Sequence, residues 1–263
     1  MPRRILNLIL PAATGALFIA LWYGIHAFLS DDYRFLLPTP GSVVSAFSDN
    51  AAVLARATLN TTEGALLGFA AAILLSIAFG LVLSLSPLVR VSLYPYLMLL
   101  QMTPVIVVAP ILVLWVGAGI KSVVVITFLI CFFPLVVNTT QGLISTDRNL
   151  VELFRMWRAT RVQQILLLRV PAALPYFFTG LRIAATLAPI GALVGDYTAG
   201  SSAGNGGGLG FAALVFSSRA QYPALFATAV VTCVLGFLFV AIVLVLARLT
   251  LHHWHDSFDR PDL

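Results

Sequence analysis

The chain has 263 residues, of which 60% are hydrophobic and 10% charged, with a formal net charge of +5. Soluble domains are roughly 45–50% apolar and about 25% charged, so the composition excludes a water-soluble globular protein and indicates a single polytopic membrane domain over 1–263. The basic residues are fourteen arginines and Lys121; they lie between apolar runs instead of forming one basic patch, which excludes a nucleic-acid partner.

In chain order, Arg3 and Arg4 precede an apolar run over 5–29. It is too long for the roughly 7–15-residue core of a signal peptide and reaches the roughly 20 residues needed to cross a bilayer, so it is read as a retained first span. Residues 30–57 follow, with Pro38 and Pro40 as breaks. Val43, Val44, Phe47, Val53 and Leu54 then recur at roughly helical spacing, the pattern of a short helix on the membrane surface. Further spans are predicted at 58–86, 92–117, 120–143, 174–196 and 222–249. No segment shows the roughly ten-residue alternation of a membrane barrel, so the fold is all-α with six transmembrane helices.

Polar side chains inside spans usually face the bundle interior. Gln101, Thr103, Asn138 and Thr139 are therefore candidates for a polar pathway, beside the helix-disturbing Pro95, Pro104, Pro110 and Pro134. Interhelical hydrogen bonding is the competing role. Cys131 and Cys233 sit in apolar runs and are read as buried core thiols without metal or disulfide. Glu63 and Asp196 fall near the ends of spans. The run "YTAGSSAGNGGGLG" over 197–210 is a flexible loop; a membrane helix precedes it, not the strand that a phosphate-cradling loop requires. The "HHWH" of His252, His253 and His255 lacks a metal-ligand spacing, and no metal site is expected.

The loop over 144–173 concentrates charge: Arg148, Arg155, Arg158, Arg161 and Arg169. Leu150, Phe154, Trp157 and Arg161 recur at i, i+4, i+7, i+11, and Glu152 suits the positive end of a helix dipole. Pro171 and Pro175 are expected to break the backbone, giving two short helices and a rigid corner. Exposed aromatic and Arg side chains together are the usual anchors of a protein interface, so the loop is a docking candidate. Orientation follows from the basic residues. With the N-terminus in the cytoplasm, Arg3, Arg4, Arg90, Arg148, Arg155, Arg158, Arg161, Arg169, Arg182, Arg248 and Arg260 lie on the inner side, against Arg34, Arg56, Lys121 and Arg219 outside. Both termini and the long loop are then cytoplasmic.

The loop resembles the EAA motif of the permease subunits of binding-protein-dependent ABC importers: Glu-Ala-Ala, three residues, Gly, nine residues, Ile-x-Leu-Pro. Aligned on Pro171, Glu152 takes the Glu position, Leu153 and Phe154 replace the alanines, and Arg158 stands where Gly is expected. "LLPTPGSVVSAF", "QMTPVIVVAPILVLWVGAG", "FFPLVVNTTQGL", "GLRIAATLAPIGALVGDY" and "GGGLGF" are similar to the sulfonate, taurine and nitrate branch of that family, over about residues 36–250. The run "VPAALPYFFTGLRIAATLAPIGALVGD" looks nearest to permeases for pyrimidine precursors of thiamine, or riboflavin.

The resemblance implies a type I ABC importer permease (MetI-like) fold and a bacterial inner-membrane location. It implies a homodimer whose loops dock as coupling helices on a cytoplasmic ABC ATPase dimer, with a periplasmic or lipid-anchored substrate-binding protein on the outer face. ATP and Mg would sit on the ATPase, with no cofactor on this chain. Glu152, Phe154, Trp157, Arg158, Arg161, Pro171 and Pro175 become the coupling loop, and Asp196 an outer gate. Since Gly usually serves close approach, Arg158 implies a different fit, with pairing to a carboxylate on the ATPase. The alternatives are a secondary transporter, which would need inverted repeats and midplane charges, and an intramembrane enzyme, which would need a paired nucleophile and base; no repeat or midplane acid is seen, and no His lies near Cys131 or Cys233 in sequence.

Overall fold

In a computed structural model, residues 3–200 and 206–251 are described, with side chains from residue 9 to residue 250; His252, His253 and His255 fall outside this range. The elements are helical: α1 (Arg3–Phe28), α2 (Pro40–Asp49), α3 (Ala51–Leu85), α4 (Pro87–Gln101), α5 (Val105–Val116), α6 (Ile120–Ile144), α7 (Arg148–Met156), α8 (Arg161–Gln164), α9 (Val170–Ala199), α10 (Leu209–Ser218) and α11 (Tyr222–Leu251). A π turn over Ile165–Arg169 joins α8 to α9. Five helical stretches are long and apolar enough to cross a membrane, and the α4–α5 pair makes a sixth if taken as one span.

Several helix starts are written locally. Thr39 caps α2, its Oγ1 accepting from the Ser42 N–H at 3.2 Å, with Pro40 in the first turn. Ser86 and Pro87 repeat the device at α4. The surface helix ends at Asp49; Val53 and Leu54, expected to continue it, belong to α3. That helix has 35 residues, about 52 Å at 1.5 Å per residue. It outruns a hydrocarbon core of about 30 Å, so it carries Arg56, Asn60 and Glu63 on a first stretch beyond the apolar layer.

The core is α6 packed between α3 and α9. Along α3 a small residue recurs every fourth position: Gly64, Gly68, Ala72, Ser76, Gly80 and Ser84, all buried. On α9 Gly180, Ala184, Ala188 and Ala192 do the same. Lipid tails are as apolar as Leu, so membrane helices associate through close backbone approach, and these stripes permit it. A Cβ on Gly195 would lie 2.8 Å from Val123 Cα. Cys131 is buried in this core and its thiol contacts the Ala184 carbonyl at 3.4 Å. Cys233, expected to be a core thiol, is instead exposed on α11. Helix α1 shows no buried residues in its span and leans on the bundle at one end, where Trp22 Nε1 donates to Pro38 O at 2.9 Å and its ring meets Phe226.

The stretch 92–117, read as one span, is built of two helices, α4 and α5, meeting at 98°. Proline disfavours the α conformation in the residue before it; α4 ends at Gln101 with Met102 as its C-cap, and Pro104 caps α5, which starts afresh at Val105. Pro171 and Pro175, expected to break the backbone, do not make a corner. Pro171 lies in the first turn of α9 and Pro175 inside it, and Arg161–Ala199 forms one helical stretch of 39 residues. The π turn supplies the accommodation: the Val170 N–H reaches back to Ile165 O, widening the turn beneath the Pro171 ring.

Candidate functional site

At one end of the bundle the loop residues come together as a helix–turn–helix. Asp147 opens α7, its Oδ1 accepting from the Asn149 N–H at 2.8 Å. The helix ends in a Schellman motif: the Ala159 N–H donates to Phe154 O at 3.0 Å and the Arg158 N–H to Arg155 O at 2.9 Å. Arg158 occupies the left-handed position with φ 53°. The Gly expected here thus has a conformational reason in addition to close approach; Arg158 is exposed.

The chain then restarts through a capping box. The Gln163 N–H donates to Thr160 Oγ1 at 3.3 Å, and the Thr160 N–H to Gln163 Oε1 at 2.8 Å. Gln164 Nε2 adds a bond to Ala159 O at 3.1 Å. Both sides of the turn are therefore pinned by hydrogen bonds. What it presents is apolar: Met156 is 80% and Trp157 81% exposed, and a groove of about 330 Å³ is lined by Leu153, Phe154, Trp157, Ala159, Gln163 and Leu167. Glu152 is exposed on α7, and Arg155 and Arg161 flank the turn, exposed.

The other predicted residues are dispersed. Gln101 and Thr103 are exposed at the α4–α5 break, where Thr103 Oγ1 donates to Leu99 O at 3.3 Å. Asn138 donates to Pro134 O at 2.8 Å and abuts Gly180 of α9, whereas Thr139 is buried against Gly80 of α3. These four do not converge.

Asp196 lies at the opposite end of α9 and is buried. Thr61 of α3 donates to its Oδ2 at 2.6 Å, and the same Thr61 oxygen accepts the Leu209 N–H at 2.7 Å. Asp196 and Thr61 thereby hold the N-terminus of α10, where a carboxylate is favoured by the dipole. Asn60 Nδ2 adds a bond to Gly206 O at 2.9 Å. A Cβ on Gly208 would overlap the Asp196 carboxylate, and one on Gly210 the Leu193 carbonyl, so the glycine run serves this close approach. Glu63, exposed, lines a cavity of about 170 Å³ beside it with Asn60 and Asp196.

Sequence reasoning missed Thr61, the Thr160–Gln163 capping box and the small-residue stripe of α3. The capping box and the stripe are legible patterns, Thr-x-x-Gln and small-x-x-x-small. Thr61 carries no local signal, because its partners are 135 and 148 residues away in sequence.

Residues 52–252 match the family described as the binding-protein-dependent transport system inner membrane component. The formylaminopyrimidine transport permease protein ThiX of Halalkalibacterium halodurans is 39% identical over 205 residues, 78% of this chain and 80% of that one. The riboflavin transport system permease protein RibX of Chloroflexus aurantiacus is 34% identical over 209 residues, 79% and 78% of the two chains. The putative aliphatic sulfonates transport permease protein SsuC of Bacillus subtilis is 29% identical over 256 residues, 96% and 88%. Among solved structures, an inward-facing MetNI methionine ABC transporter shares the fold with a TM-score of 0.64 at 17% identity, covering 76% of this chain and 97% of its own.

Proposed function

This chain belongs to the binding-protein-dependent transport system inner membrane components, and we propose that two copies form the pathway of an ATP-driven importer for a small neutral heterocycle. A thiamine-type pyrimidine precursor or riboflavin is the favoured substrate, with sulfonates and taurine as the next class. The relatives of 39% and 34% identity named for formylaminopyrimidine and riboflavin transport support this order. The chain is a permease subunit and not an enzyme; ATP hydrolysis belongs to a partner ATPase. A substrate-binding protein delivers at the outer face.

The observation that carries the coupling reading is the pinned α7–α8 turn with Met156 and Trp157 exposed. A rigid, apolar protrusion suits a cleft on a moving ATPase, with Glu152 at the coupling position beside it. Closure of the ATPase pair draws the loops together, and the bundles switch as two-state bodies. Gln101 and Thr103, exposed at the α4–α5 break, are the pathway candidates best placed to meet substrate, whereas Asn138 and Thr139 serve packing. In this reading the loop and both termini face the cytoplasm and Asp196 stands at the outer side.

Uptake of labelled formylaminopyrimidine, riboflavin and taurine, in cells expressing the chain with its ATPase and binding protein, tests the substrate. Uptake of taurine alone would overturn the heterocycle assignment. Trp157→Ala is expected to release the ATPase during purification; full retention would remove the loop from the coupling role.

A further inference from the structure

At the loop end of the bundle two small cavities share Arg169. One, about 210 Å³, is lined by Arg155, Arg161 and Arg169 with Leu85 at its edge. The other, about 220 Å³, is lined by Arg90, Arg169 and Thr146 among apolar neighbours. No carboxylate lines either one, and among the described residues the ion pair found is Arg34–Asp31, remote in sequence from these arginines. Arg169 is held by a bond from Nη1 to Ser84 O at 3.4 Å, which engages one of its five N–H donors. Thr146 Oγ1 is buried and has no hydrogen-bond partner among the described residues. Guanidinium groups with a spare hydroxyl and no neutralising acid form the donor set of an oxyanion site.

The level of the site points to its occupant. Leu85 and Ile144 are the last residues of α3 and α6, so the cavities open where two spans end. Beside Arg90 on α4, Leu88 is 81% and Val91 73% exposed, an apolar surface suited to acyl chains. We propose that the paired cavities bind a phosphate oxyanion supplied by the headgroup of an anionic phospholipid, with Arg169 between Arg90 on one side and Arg155 and Arg161 on the other. Basic pockets at the ends of membrane helices bind such headgroups through charge and desolvation together. The site anchors the base of α9 to the membrane surface, and it stands independently of which solute is transported.

The test uses the full-length chain in detergent with the subunits that co-purify. Phosphatidylglycerol, phosphatidylcholine and inorganic phosphate are titrated separately, with thermal unfolding and native mass spectrometry as readouts. Phosphatidylglycerol is expected to raise Tm and remain bound, and phosphatidylcholine to do neither. Arg90→Gln with Arg169→Gln weakens phosphatidylglycerol binding by about tenfold or more, from the loss of charge-assisted bonds. Thr146→Val, a milder change, weakens binding while leaving the lipid-free Tm unaltered. Undiminished binding in both variants overturns the proposal. Stabilisation by inorganic phosphate without any lipid response replaces the lipid with a soluble anion and overturns its assignment. Lipid bound by the chain alone but excluded from its complex with the ATPase makes the arginines a protein contact and likewise overturns it.

Discussion

Arg158 holds a backbone conformation that side chains bearing a Cβ rarely adopt, φ 53° at the end of α7. The left-handed region costs an L-residue roughly 1–2 kcal/mol. Arg158→Gly is therefore expected to raise stability by up to about 1 kcal/mol, the relief being offset by glycine's greater unfolded-state entropy. Arg158→Val is expected to lower it, because a β-branched residue fits this region worst. Thermal unfolding in detergent compares the three, and equal midpoints would dismiss the strain. Arg158→Glu addresses the charge separately: loss of ATPase association would favour pairing with a carboxylate, and intact association and transport would refute it. Asp196 is a second residue whose importance was legible but whose reason was not. Asp196→Ala strands the Thr61 hydroxyl and is expected to cost about 1–3 kcal/mol. Asp196→Asn keeps an acceptor and costs less. Thr61→Val removes the link to both Asp196 and Leu209, so a wild-type midpoint for that variant would contradict the staple. The positions of Arg158 and Asp196 could be read from motif spacing and from the end of an apolar run. Their φ value and their burial arise from tertiary structure, which spacing does not encode.

At the scale of elements, hydropathy located the apolar runs but not their direction or their neighbours. The third run counts enough apolar residues to span, yet it turns through 98° at the Met102-Thr103-Pro104 break, which the apolar total does not register. The prolines of α9 mislead in the opposite sense. A π turn precedes Pro171, in the five residues "ILLLR", whose sequence carries no mark of it, and Pro175 lies within the continuous α9. The α3 stripe is readable in sequence as a four-residue repeat, although only packing reveals that it faces α6. Gly68→Val tests it. A Cβ there would stand 2.6 Å from Thr127 Cβ and 2.7 Å from the Val124 carbonyl oxygen, so backbone must move, and overpacking of this kind costs about 1–3 kcal/mol. Gly15→Val on α1, where nothing lies within 4 Å, is the control and is expected to leave unfolding unchanged. Equal effects at both positions would refute close packing of α3 on α6.

At the scale of the molecule, the distribution of basic residues predicts an orientation, with the α7–α8 turn inside and the α10 end outside. In a Cys131→Ser, Cys233→Ser background, Arg219→Cys is expected to react with an impermeant maleimide in spheroplasts, and Trp157→Cys only after permeabilisation. The reverse pattern would invert the topology. The family match begins at residue 52, and α1 lies before it, with no buried residue over Ile9–Phe28. One helical stretch of 39 residues, about 58 Å at 1.5 Å per residue, runs from the α8 capping box to the Asp196 staple. A corner at the prolines would have acted as a joint and absorbed a push. Without one, the stretch would serve the proposed coupling as a transmission rod: a displacement imposed beside Trp157 would arrive, with little slack, at the hydroxyl–carboxylate latch that seats α10 at the other end of the bundle.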